Sequence, residues 1–206
     1  MYLYTENLGI PLFPIGVLIF IVILIILWKN KRSLMYMFFF SLFWVYLMFG
    51  IDKVFFPLEI SGTYVDEMRQ ISIISFINFT PFFLDKFGVT ENEVTLIFYN
   101  ILLTIPFGFG LNFLIRVRTK KIFIISFILG VGLEVVQLLI SWILGYPYRV
   151  IDINDAFFNA IGVLLGYGLF KLFALLYLVT IGKSIDTKDG LLLFLDNVVR
   201  QKDKKF

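Results

Sequence analysis

Glu134, Gln137, Arg149, Asp152, Asp155 and Asn159 stand within one otherwise apolar stretch of the chain, and they could support three kinds of chemistry. Arg149 offers a planar fork of donors that suits an anionic group bound by two parallel hydrogen bonds. Glu134, Asp152 and Asp155 are hard oxygen ligands of the sort that hold Mg²⁺, and any two of them could also act as an acid and base pair. The chain has no His and no Cys, so it lacks the commonest general base and any thiolate, and no obvious nucleophile accompanies the acids. Chemistry must rest on carboxylates, amides and arginine.

Spacing groups these residues. Glu134 and Gln137 are three apart and share a helix face, which Gly130 joins four residues earlier. Arg149, Asp152, Asp155, Asn159, Gly162 and Gly166 recur at intervals of three or four, a single stripe if a helix begins near Ile151. The glycines in that stripe permit another helix to approach closely. A third segment adds Asn100 and, at Pro106-Phe107-Gly108, a predicted break. Proline removes one backbone hydrogen bond, and Asn100, Gln137 and Asn159 are natural partners for the carbonyl it frees.

The elements that position these groups are membrane spans. Of 206 residues 60% are hydrophobic and 16% charged, and mean hydropathy is +0.92. About 20 apolar residues cross the hydrocarbon of a bilayer. Five segments qualify, at roughly 10–28, 34–51, 94–115, 122–144 and 156–181, so the fold class is an all-α polytopic transmembrane bundle. The whole of 1–206 reads as a single integral membrane domain, with 182–206 as a cytoplasmic tail whose apolar run Leu191–Leu195 could dock on the inner surface. Residues 1–9 carry no Lys or Arg, and no small-residue cleavage site follows the first apolar run, so that run reads as a retained span. Within 54–93 the sequence predicts a membrane-surface helix, a weak amphipathic pattern over Val65–Phe79 ended by Thr80 and Pro81.

Positive charge orients the bundle. Thirteen Lys and Arg fall in the turns at 29–32 and 116–121 and in the tail, against four on the opposite side. The expectation is an N-terminus outside and a C-terminus in the cytoplasm. Lys171, within the last span, would snorkel towards the inner surface. Because basic residues belong on cytoplasmic loops in any case, a net charge of +3 does not argue for nucleic acid.

Asn78-Phe79-Thr80-Pro81-Phe82, Asn100 with Pro106-Phe107-Gly108, Glu134-Val135-Val136-Gln137, and Arg149 through Asp152, Asp155, Asn159 and Gly162 together resemble the pattern of the VanZ-like family of bacterial membrane proteins, over about residues 40–175. The resemblance implies a polytopic protein of the bacterial cell membrane. Founding members of that family are linked to low-level resistance to teicoplanin-type glycopeptide antibiotics, and no known reaction is implied.

The polar groups also have structural uses. Asn100, Gln137 and Asn159 could be interhelical hydrogen-bond glue. Asp152 and Asp155 would suit the positive end of a helix dipole, and Arg149 could pair with Asp152. Glu134, near mid-membrane, has the weakest structural excuse and should be protonated or paired with Arg149. The leading expectation is therefore a binding site on the outer side, formed by Asn100, Glu134, Gln137, Arg149, Asp152, Asp155 and Asn159. It would take a cell-envelope lipid or a lipid-anchored ligand such as a lipoglycopeptide, with Tyr146 and Tyr148 as interfacial anchors, and need no cofactor. A second reading is a membrane enzyme acting on a lipid-linked substrate, with Glu134, Asp152 and Asp155 catalytic or holding a divalent cation. A third is a transporter-like component, with Glu134 carrying a proton and the Pro106 break as hinge. Five spans without a visible inverted repeat would then need a homodimer for symmetry.

Overall fold

The computed structural model describes residues 12–80, 91–181 and 190–200. Long apolar runs become helices because in lipid each backbone donor must find its acceptor within the segment. The order is α1 (Leu12–Lys29), α2 (Leu34–Phe55), a short α3 (Thr63–Met68), α4 (Glu91–Leu114), α5 (Thr119–Leu144), α6 (Ile153–Thr180) and α7 (Leu191–Val199). Four of these, α2, α4, α5 and α6, are long and apolar enough to cross a membrane, and α1 is a shorter apolar helix. Their outward faces carry Phe38, Phe98, Phe127, Trp142, Leu172 and many other large apolar side chains in the open. On a water-soluble protein that surface would be untenable. The chain is a multi-pass membrane protein.

Helix α6 is the centre of the bundle, packed against α4 on one side and α5 on the other, while α2 leans on α4 and α1 touches α2. Glycines set these distances. A Cβ on Gly108 would overlap the Val163 carbonyl, one on Gly162 the Ile101 carbonyl, and one on Gly166 the Ile105 carbonyl. Gly130 does the same for α5 against the Ala156 carbonyl. The expected role of Gly162 and Gly166 in close packing is met.

At the end of the bundle where the basic turns lie, Phe113, Phe170, Phe194 and Val198 form a buried cluster with Met35, Tyr36 and Phe39 against it. The apolar run of the tail is thus helix α7, docked between α2 and α6. Lys171 lies with its ammonium 5.2 Å from the Tyr167 ring centre. At the other end, the segment after α2 folds over the α5–α6 loop. Val65 and Met68 bury against Tyr146, whose hydroxyl donates to the Glu59 carbonyl.

Three expectations change. The predicted helix over Val65–Phe79 is only α3, followed by a 3-10 turn at Ile73–Phe76 and an extended pair, Ile77–Asn78. That pair (β1) joins Ile151–Asp152 (β2) in parallel, Ile77 opposite Ile151 and Asn78 opposite Asp152. A distant backbone partner overrides a weak local pattern there. Helix α4 runs through Pro106 without interruption, so the predicted break is absent. The stripe is also shorter than expected, because α6 starts at Ile153 and Arg149 and Asp152 precede it. The Pro81 stop, the N-terminal residues 1–11 and the tail at 182–189 and 201–206 lie outside the described residues.

Candidate functional site

The buried stripe of α5 is Ile122, Ser126, Gly130, Glu134, Gln137 and Ser141, about one residue per turn. On α6, Ala156 meets Gly130 of α5, while Asn159, Gly162 and Gly166 are buried on the side that meets α4. Glu134 is 7% exposed and Asn159 4%. Between α2, α4, α5 and the start of α6 lies a cavity of about 740 Å³. Its polar lining includes Asn100, Glu134, Gln137, Arg149, Asp155 and Asn159, with Lys53 and Tyr46 added. Leu96, Leu103, Leu133 and Val150 supply apolar wall.

Six of the seven residues singled out in the sequence therefore share one cavity, and the seventh supports it. Asp152 does not line the space. It caps α6, its Oδ1 accepting from the Asn154 backbone N–H at 2.8 Å, and its Oδ2 accepts from Asn78 Nδ2 at 3.0 Å. Its own backbone N–H donates to Glu134 Oε2 at 3.0 Å. A carboxylate satisfied by a backbone donor can be kept at this depth, where a bare one would be costly. Asp155, in the first turn of α6, accepts from Asn100 Nδ2 at 2.6 Å, joining α6 to α4.

The expected pairing of Arg149 with Glu134 or Asp152 is not made. The guanidinium donates from Nη2 to the Phe56 carbonyl at 3.3 Å and stands 5.9 Å from the Tyr148 ring centre. One of its five donors is used in this way, and among the described residues no other acceptor takes the rest of the fork. The interhelical-glue reading holds for part of the set: Asn100 ties α4 to α6, and Gln137 Nε2 donates to the Val54 carbonyl at 3.3 Å, tying α5 to α2. Pro106 frees the Leu102 carbonyl four residues back, and none of the three amides donates to it among the described residues; one residue further on, the Tyr46 hydroxyl donates to the Leu103 carbonyl at 2.7 Å. Among the described residues, Asn159 Oδ1 is buried without a hydrogen-bond partner. Next to the cavity, burial pushes the Tyr148 phenol up to about 12, opposed by Arg149. Its hydroxyl also has no partner among the described residues.

Tyr46, Lys53 and the capping contact of Asn78 were missed in the sequence. Lys53 reads as the ordinary basic end of a helix, and Tyr46 is one of ten tyrosines, with no polar residue three or four positions away to mark it. Asn78 was visible within a motif but without a partner. Among the described residues, no three His, Cys, Asp or Glu side chains are placed to share a metal ion.

Fold and site together define a multi-pass helical membrane protein with a polar cavity near one end of its bundle, built from four helices and the loop before α6. The model of the VanZ/LLP1 family matches residues 43–174, and the chain belongs to that family. The match begins within α2 and ends within α6, so it includes the whole cavity and leaves out α1 and α7. No curated protein and no solved structure matches the chain.

Proposed function

We propose that this protein binds an amphiphile of the bacterial cell envelope, a lipid or lipid-anchored molecule, with its head group in the cavity lined by Lys53, Asn100, Glu134, Arg149, Asp155 and Asn159. The observation that carries this is the make-up of the cavity wall: a polar floor at α5 and α6, two cations that form no ion pair among the described residues, and leucine and valine between them. Concave sites with apolar walls and a few convergent polar groups are the usual form of a small-molecule site. Lys53 is exposed at the end of α2 and Arg149 half-buried, which suits an anionic head group arriving from the membrane surface. The charge asymmetry of the loops favours an opening on the outer side of the membrane. Resistance to teicoplanin-type glycopeptides would follow where the bound lipid, or the antibiotic's own acyl anchor, is held at that surface.

The test is lipid binding by the purified protein in detergent, followed by native mass spectrometry with phosphatidylglycerol as probe. Lys53→Ala combined with Arg149→Ala should weaken binding about tenfold, close to 1.4 kcal/mol. Binding that is unchanged in a variant with the parent's melting temperature would overturn the reading.

A further inference from the structure

The cavity is divided by charge. Of its charged groups, the cation Lys53 is exposed and Arg149 half-buried, while among its acceptors Glu134 and Asn159 are buried and Asp155 is half-buried. Among the described residues neither carboxylate has a cationic partner: Glu134 accepts a backbone N–H and Asp155 a side-chain amide. A carboxylate has room for about four donors, so most of that capacity faces the cavity unused. The independent sign of a missing ligand group is Asn159. It is 4% exposed, lines the same space, and among the described residues its Oδ1 has no hydrogen-bond partner. A buried acceptor without a donor is costly to keep, and its place in the wall of a polar cavity is consistent with a site that is completed on binding.

Two carboxyl groups and an amide in one part of the cavity, with the two cations Lys53 and Arg149 in the same wall, complement a zwitterion, whose ammonium would itself favour their charged form. Building on the head-group site proposed above, we infer that the ligand carries a phosphate and a primary ammonium on one short linker, the chemistry of an aminophospholipid head group. The phosphate meets Lys53 and Arg149. The ammonium, with three donors, enters between Glu134 and Asp155, beside the Asn159 side chain in the cavity wall. A purely anionic head group would bring hydroxyls to the acceptors and leave both carboxylates without a counter-charge.

The experiment is a competition in native mass spectrometry. The full-length protein is offered equal amounts of phosphatidylethanolamine and phosphatidylglycerol with identical acyl chains. The expected result is retention of the ethanolamine lipid about tenfold over the glycerol lipid. Glu134→Gln with Asp155→Asn keeps an acceptor for Asp152 N–H and for Asn100, so the fold is retained, and the preference should fall to about twofold or less. Lys53→Ala should weaken both lipids alike and leave their ratio unchanged. If both lipids bind equally to the parent protein, or if the preference survives the double substitution, the ammonium site is wrong while the head-group site stands. If neither lipid is retained, both readings fall.

Discussion

Asp152 joins α5, α6 and the segment after α2 beside the site, although it does not line the cavity. Its side chain caps α6 and holds Asn78, and its backbone holds Glu134. Asp152→Ala should lower stability by about 1–2 kcal/mol through loss of the cap alone, read as a lower melting temperature in detergent. At Glu134 the comparison is sharper. Glu134→Gln keeps an acceptor for the Asp152 N–H, whereas Glu134→Ala leaves that donor unmet and should cost about 1–3 kcal/mol more. Thermal unfolding of the two variants side by side checks this. The sequence identified both residues, because carboxylates in an apolar stretch are conspicuous. It assigned Asp152 to a helix face and Arg149 to a salt bridge, since spacing cannot tell a cap from a first-turn residue or a carbonyl acceptor from a carboxylate. Tyr46 and Lys53 carried no such mark.

At the scale of elements, close approach decides the architecture. Gly108, Gly162 and Gly166 let α4 and α6 meet backbone to backbone, with the Thr104 hydroxyl donating to the Asn159 carbonyl at 2.8 Å across the contact. Gly108→Ala or Gly162→Ala should force these helices apart and cost about 1–3 kcal/mol each. A Cβ on Gly168 meets nothing within 4 Å, so Gly168→Ala should be neutral or better. Melting temperatures of the three variants decide the point. Separation of α4 from α6 would also widen the cavity, so the first two should lose lipid binding as well. The long helices were legible because apolar length and glycine spacing are local properties. The segment between α2 and α4 was not, because Ile77 and Asn78 take their extended shape from Ile151 and Asp152, 74 residues away along the chain. Pro106 misled in the other direction: neighbouring helices hold α4 together where proline alone would interrupt it.

For the molecule as a whole, orientation is the open quantity with the simplest test. The absence of cysteine makes single-cysteine variants clean reporters. Glu67 and Lys120 are both exposed, at opposite ends of the bundle. Loop charge predicts that Glu67→Cys reacts with a membrane-impermeant maleimide in intact cells and that Lys120→Cys reacts only after permeabilisation. The reverse pattern would place the cavity on the cytoplasmic side. The two-residue pairing of β1 with β2 has a further consequence, for synthesis. The donor of Glu134 and the partner strand of Ile77–Asn78 both come from Ile151 and Asp152, which are translated after α5 and just ahead of α6. Helices α2, α4 and α5 can be in the membrane while Glu134 still lacks its donor and the segment after α2 still lacks its strand partner. Asp155 and Asn159 join the cavity only when the last spanning helix enters. A ribosome stalled before that point would leave a threaded chain whose cavity lacks its α6 wall.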